Sequence, residues 1–328
     1  MGQRALPVVA GIIEDAQGRI LLAQRPPGAN EALRWEFPGG KIRPGESAQC
    51  ALHRELIEEL GFIAGPTTHF TSVHWRGGPR ALNLHAYRLA GSEHALHARE
   101  HLALRWAARA QMVRFDVPAP DRPIVARLAL PSTYLITPDP AGALATFLQQ
   151  LSRALDAHQP GAVLLRAPGL AKAQLPYWAA AVLEHVRACL PRVLAFLHSD
   201  AALAIKLGYD GVHISSEALA KLSKRSLPQN LWLLASCHDR SDLAHAERVG
   251  IDAVVLGPVN PTQSHPSARS LGWVNFARLA RQTWMPVYAL GGVSADALGT
   301  ATASGAHGIA AIRGFWPTCF ERSDASVR

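Results

Sequence analysis

The chain has 328 residues, 48% of them hydrophobic and 18% charged. That balance excludes a disordered chain and leaves room for two hydrophobic cores. No apolar run approaches the roughly 18 residues needed to cross a bilayer, and Met1-Gly2-Gln3-Arg4-Ala5-Leu6-Pro7 is too short before polar residues to act as a signal peptide. The net charge of +8 comes from scattered arginines, without a basic run or interleaved aromatics. Small anionic substrates such as nucleoside phosphates account for that sign, and neither a nucleic-acid nor a membrane partner is expected. Cys50, Cys189, Cys237 and Cys319 form no C-x-x-C pair, so neither a zinc site nor a disulfide framework is suggested and a cytoplasmic setting fits.

Residues 5–13 and 19–25 are apolar runs separated by the turn signal Asp15-Ala16-Gln17-Gly18, which predicts a hairpin. A helix is expected over 47–60, strands over 67–75 and 82–90, and a further short strand near 102–108. Proline suits a first helical turn, so another helix starts after Pro123 and ends near Leu130. Pro131-Ser132 then places a boundary near residue 130, dividing the chain into 1–130 and 131–328. Beyond it, apolar strand-like runs alternate with helical patterns, which signals a parallel sheet with crossover helices. The runs are 133–137, 162–166, 193–198, 211–215, 231–236, 253–257, 286–290 and 308–312. Eight such units predict a (β/α)8 barrel, at the small end of that fold with about 200 residues. A doubly wound sheet is the alternative. Only Gly314 to Arg328 follow the last run, so the final helix must be short or absent.

The chemistry is concentrated in the helix at 47–60. Ser47 is a good N-cap and Gly61 sits where a C-terminal glycine cap belongs. At about 100° per residue, Glu55, Glu58 and Glu59 share one arc, and Leu52, Leu56 and Leu60 occupy the adjoining core-facing arc. Three carboxylates on one face repel unless a cation sits among them, and their oxygens suit a hard ion such as Mg²⁺ or Mn²⁺. A solvated acidic face is the plain alternative.

Spacing decides between the two. Gly40, five residues, Glu46, seven residues, then Arg54-Glu55-Leu56-Ile57-Glu58-Glu59-Leu60-Gly61-Phe62 resembles the box of Nudix hydrolases at every fixed position. The resemblance implies an α/β/α sandwich whose members cleave a nucleoside diphosphate linked to another group. It implies that Glu58 and Glu59 are metal ligands, that Glu55 is a ligand or the base that activates water, and that the Gly39 carbonyl completes the set. Arg54 would pair with a box carboxylate and fix its orientation.

Outside the box the chain resembles MutT-type 8-oxo-dGTP diphosphatases in Trp35-Glu36-Phe37-Pro38-Gly39-Gly40-Lys41-Ile42. Arg25 and Phe37 fall where that group contacts substrate, and Glu100 where it has a further catalytic or metal-binding glutamate. Val117 to Leu128 resembles its C-terminal helix entry, with Asp121 in place of an asparagine that reads the oxidised guanine. Ionised aspartate only accepts hydrogen bonds; held neutral by burial it also donates. A helix N-cap is the competing role for Asp121. A nucleoside triphosphate, oxidised on its purine, is the expected substrate, cleaved to the monophosphate and diphosphate.

Over about residues 132–316 the chain resembles the thiamine phosphate synthase/TenI barrels. The likeness rests on Tyr134-Leu135-Ile136-Thr137-Pro138, Gly211-Val212-His213-Ile214, Ser236-Cys237-His238, Leu256 to Thr262, and Ala289-Leu290-Gly291-Gly292-Val293. Gly291 and Gly292 after the seventh run, with Arg313 and Gly314 after the eighth, lie where such barrels bind phosphate, and Arg166 joins them. Asn260-Pro261-Thr262 closes over a ligand or is simply a loop.

Departures argue against synthase activity. His198-Ser199 stands where the synthases have Asn-Asp, Glu217 is the only acid soon after the fourth strand, and His265 replaces a phosphate-binding lysine. TenI-type tautomerases lack the metal site and transfer protons with a histidine at the position of His238, which implies a thiazole phosphate or thiamine-related phosphate as ligand. Two rivals stand beside this reading. In one, the whole chain serves a thiamine pathway and the Nudix part trims thiamine diphosphate or its oxidised analogues. In the other, the barrel is a non-catalytic module that regulates the hydrolase.

Overall fold

A computed structural model describes residues 5–78, 80–91, 96–262 and 269–316. The start of the chain at Met1–Arg4, His265 and Cys319 lie outside the described residues. Two compact units result, one of Met1–Leu130, Pro228–Leu231 and Trp284–Pro286, the other of Pro131–Leu227, Trp232–Thr283 and Val287–Arg328.

In the first unit the order is β1 (Leu6–Glu14), β2 (Ile20–Gln24), β3 (Trp35–Glu36), α1 (Ala48–Leu60), β4 (Thr68–Trp75), β5 (Leu82–Ala90), β6 (Ala103–Ala107) and α2 (Arg122–Ala129). The hairpin expected from the first two runs is confined to its turn. β1 meets β2 antiparallel at Glu14 and Ile20, then runs parallel to β5 over its whole length, while β2 gives its length to β6. The cause lies in β1 itself, where Val9 to Ile13 are all buried without alternation. A strand buried on both faces takes the centre of a mixed sheet. The sheet runs β3-β2-β1-β5-β4, with β6 on β2.

Helix α1 lies on this sheet as its capping residues dictate. Ser47 Oγ accepts the Cys50 N–H at 3.2 Å, and Gly61 closes the far end at φ 66°, in the left-handed region. Ala51, Leu52, Leu56 and Leu60 pack on Val9, Ile13, Leu21 and Leu89. Each such leucine contributes about 1.5–3 kcal/mol by leaving water, which fixes the rotation of α1 and hence where its glutamates emerge. Two features are too short to show any period: the two-residue β3, held by the Trp35 N–H on the Asp116 carbonyl at 2.9 Å, and a 3-10 turn at Ala119–Asp121 that runs into α2.

The second unit is a closed barrel. β7 (Thr133–Ile136), β8 (Ala162–Leu165), β9 (Leu194–His198), β10 (Gly211–Ile214), β11 (Trp232–Cys237), β12 (Ala253–Leu256), β13 (Val287–Leu290) and β14 (Gly308–Ala311) are all parallel. β14 pairs with β7, so the sheet closes and the doubly wound alternative is excluded. Helices α3 (Leu144–His158), α4 (Leu175–Cys189), α5 (Ala201–Leu207), α6 (Ser216–Ala220), α7 (Arg240–Val249), α8 (Gly272–Ala280) and α9 (Leu298–Ala303) follow the first seven strands. Tyr134, Phe196 and Tyr288 fill the interior with ring centroids 5.4 and 5.6 Å from Tyr134, as expected for a packed core rather than a pore. Among the described residues no helix is long and apolar enough to cross a membrane.

Replacing Ser47 with alanine removes the α1 cap and is expected to destabilise the first unit by about 1 kcal/mol. Thermal melting of the variant checks this, and an unchanged transition would show that the cap contributes nothing.

Candidate active site

The glutamates of α1 meet Arg54 rather than one another. Arg54 Nε and Nη2 grip both oxygens of Glu46 at 2.9 and 3.0 Å, and Nη1 reaches Glu55 at 2.7 Å and Glu58 at 3.1 Å. Nη2 also donates to the Lys41 carbonyl at 3.1 Å, tying α1 to the loop before it. This pairing draws the Glu46 carboxyl down to about 2, through hydrogen bonds from Arg54 and then from the Arg43 N–H. Glu58 is half exposed and also faces Arg43 at 3.5 Å. The Glu55 carboxyl fills the space that a Cβ on Gly40 would occupy.

Glu59 is different. It is buried, and its Oε2 accepts the Gly39 N–H at 3.0 Å. Burial pushes its carboxyl up to about 8, and the negative neighbours Glu36, Glu55 and Glu100 add to the effect. Gly39 itself has φ 148°, and a Cβ there would lie 2.2 Å from the Val9 carbonyl. The carbonyls flanking it, Pro38 and Gly40, both accept from β1. Among the described residues no three His, Cys, Asp or Glu side chains already stand as a ready metal cluster; Arg54 holds three of the box glutamates, Glu46, Glu55 and Glu58, and the Gly39 N–H holds the fourth, Glu59. Glu100 is exposed, and its charge adds to the raised pKa of Glu59.

A cleft of about 420 Å³ opens beside Gly39 and Gly40, lined by Arg25, Glu36, Phe37, Pro118 and Asp121 among others. All three residues assigned to substrate from the sequence, Arg25, Phe37 and Asp121, line it. Arg25 is not a loose surface arginine. It donates from Nε to Glu36 at 2.8 Å and from Nη1 to the Asn30 carbonyl at 2.6 Å. Asp121 makes no capping bond to α2, so the N-cap role falls away. It is 8% exposed, and burial raises its pKa well above the carboxylate range, with Glu36 adding to the rise and Arg25 opposing it. Glu36 was missed as a site residue, although it stands between two residues that were singled out; only the Arg25 contact reveals its place.

At the C-terminal ends of the barrel strands, His238 follows β11 and its Nδ1 lies 2.7 Å from the Gly257 carbonyl. A carbonyl only accepts, so Nδ1 carries the proton and Nε2 of the neutral ring is left as the basic nitrogen. His198 ends β9, where burial and the nearby Arg166 charge lower its pKa. Asp200 is spent on capping α5 through the Leu203 N–H at 2.9 Å, and Glu217 sits in the first turn of α6. Gly291 and Gly292 have φ of 100° and 61°. Arg313 is exposed, and a Cβ on its neighbour Gly314 would lie 2.3 Å from the Val293 carbonyl, so the two loops touch.

Residues 5–128 match the Nudix domain family, and residues 133–315 match the family described as thiamine monophosphate synthase, TMP-TENI. The chain belongs to both families. A CTP pyrophosphohydrolase of Escherichia coli is 39% identical over 122 residues, covering 37% of this chain and 90% of that protein. A putative 8-oxo-dGTP diphosphatase 2 of Mycobacterium tuberculosis is 42% identical over 129 residues, covering 37% and 86%. For the barrel, a putative thiamine-phosphate synthase 2 of Aquifex aeolicus is 31% identical over 136 residues, covering 40% and 72%. The Nudix part is thus akin to nucleotide pyrophosphohydrolases, and the barrel is thiamine-phosphate-synthase-like.

Because the Asp121 carboxyl titrates higher in the folded Nudix part than in the unfolded chain, folding is penalised once pH rises past the ordinary carboxylate range. Asp121→Asn removes that penalty without changing shape. The variant is expected to melt higher than the parent at pH 7–8, with the gap closing at about pH 3, where most of the unfolded carboxyl is protonated too. Equal melting at both pH values would show that Asp121 is not held neutral.

Proposed function

We propose that residues 1–130 hydrolyse a nucleoside triphosphate to the monophosphate and diphosphate, with 8-oxo-dGTP as substrate and Mg²⁺ or Mn²⁺ as cofactor. The observation that carries the reading is the adjacency of the box glutamates to a cleft containing Arg25, Phe37 and Asp121. Glu55, Glu58, Glu59 and Glu100 with the Gly39 carbonyl would hold the ion. Their chemistry suits it: an all-oxygen set in which buried Glu59 already carries an excess of negative neighbours. When bound, the ion neutralises the diphosphate and lowers the pKa of water. Glu55, oriented by Arg54, takes the proton from the attacking water. Arg54 and the Gly39 N–H keep the carboxylates in place while substrate enters.

Specificity rests on the neutral Asp121, which donates from its O–H and accepts at its C=O. That pair complements O6 and N1–H of a guanine edge. It equally complements N3 and N4–H of cytosine, and the 39% identity to a CTP pyrophosphohydrolase favours cytidine triphosphate as the second reading. A panel of 8-oxo-dGTP, dGTP, CTP, ADP-ribose and thiamine diphosphates with Mg²⁺ tests both. The highest kcat/KM is expected for 8-oxo-dGTP; a CTP optimum selects the second reading, and a wide preference for ADP-ribose or a thiamine diphosphate overturns both. Glu55→Gln is expected to lower kcat by about 10²-fold or more, and an unchanged rate would remove Glu55 from the mechanism.

Residues 131–328 are proposed to bind thiazole phosphate or a thiamine phosphate without synthase activity. Asp200 and Glu217 sit on helix starts, while His238 keeps a fixed tautomer suited to proton transfer. Gly291, Gly292, Arg313, Gly314 and Arg166 receive the phosphate. Calorimetry is expected to detect uptake of thiazole phosphate by the full chain. His238→Asn is expected to retain uptake and lose any thiazole tautomerisation; no uptake of either ligand by the parent would sink the barrel reading.

A further inference from the structure

The loop after β12 makes contacts with the loop after β13 that a simple connection would not need. The Asn260 N–H donates to the Gly291 carbonyl at 3.0 Å, and Asn260 Nδ2 donates to the Gly292 carbonyl at 2.9 Å. One residue therefore takes both carbonyls of the glycine pair. Contact is close enough to require glycine: a Cβ on Gly292 would lie 2.7 Å from the Asn260 Cβ, and one on Gly291 2.6 Å from the Pro258 Cβ. The Val259 N–H on the Leu290 carbonyl at 2.7 Å continues the seam.

The direction of those carbonyls decides the direction of the amides. In a trans peptide the C=O of one residue and the N–H of the next point oppositely. With the Gly291 and Gly292 carbonyls turned to Asn260, the N–H groups of Gly292 and Val293 point away from it. Among the described residues neither amide has a backbone acceptor. Two successive N–H groups aimed to one side at positive-φ glycines form a concavity suited to an anion.

We infer that Asn260 is a positioning residue that holds the Gly291–Gly292 turn with its amides toward a phosphate, acting through the backbone without touching the ligand. The inference rests on the barrel reading above and adds to it the group that sets the phosphate site. Leucine, alanine or any side chain without a donor at 260 would leave the Gly292 carbonyl free to rotate, and the Val293 amide with it, while the Asn260 backbone N–H still holds the Gly291 carbonyl and the Gly292 amide.

The test uses calorimetry on the full chain with thiazole phosphate and with the corresponding thiazole alcohol, which lacks the phosphate. Asn260→Ala is expected to weaken thiazole phosphate binding about tenfold. Asn260→Asp keeps the size but sets a carboxylate against the Gly292 carbonyl, and is expected to weaken it further. Alcohol binding should match the parent in both variants, since only the phosphate uses the turn. Melting temperatures check folding; if the alanine variant fails to fold, the aspartate variant carries the test. Unchanged thiazole phosphate affinity, or an equal loss for phosphate and alcohol, overturns the role of Asn260. A parent chain that takes up neither thiazole phosphate nor inorganic phosphate overturns the barrel reading itself.

Discussion

Like-charge repulsion among the carboxylates of α1 and of the loop leading into it is the constraint around which the first unit is organised. Glu46, Glu55 and Glu58 would drive each other apart, and Glu59 is buried where it cannot shed its charge into water. Arg54 answers for three of them with one rigid fork, a geometry that an ammonium group cannot reproduce. The fourth is met by a backbone amide at a glycine with no room for a side chain. What results is a site that is strongly acidic, already shaped, and only partly neutralised.

The same logic separates a glutamate and an aspartate that look alike on paper. Glu36 stays paired with Arg25 at the cleft wall, whereas Asp121, equally acidic by composition, is sealed from water and pushed toward its neutral form. An ion-paired glutamate and a buried aspartate whose pKa is raised by burial thus line one cleft.

In the barrel, polar groups are used in the opposite way. His213 is buried between the Tyr134 hydroxyl at 3.1 Å and Ser236 Oγ at 3.0 Å, and burial lowers its pKa to about 3, so it is a neutral bridge in the packed interior. His238, the glycine turn and Arg313 all lie beyond the strand ends. Backbone contacts from the Asn260 loop organise that rim, whereas side-chain ion pairs organise the glutamate helix.

Much of this was legible in the order of residues. The box spacing, the caps Ser47 and Gly61, the leucine stripe of α1 and eight apolar runs with glycines at their ends are local signals, each set by a backbone propensity or a fixed period. They determined the two folds, the glutamate helix and the strand-end placement of His238, Gly291 and Gly292. Other features depended on residues far apart in the chain. Only the folded chain pairs β1 with β5 and opens the hairpin, because the unbroken apolar run of β1 marks a central strand without saying which strand lies beside it. Only packing shows that Glu59 and Asp121 are the buried acids, that Glu36 engages Arg25, and that Asn260 grips the glycine turn. Burial and hydrogen-bond partners are properties of assembled surfaces, and no spacing rule along one strand or helix encodes them.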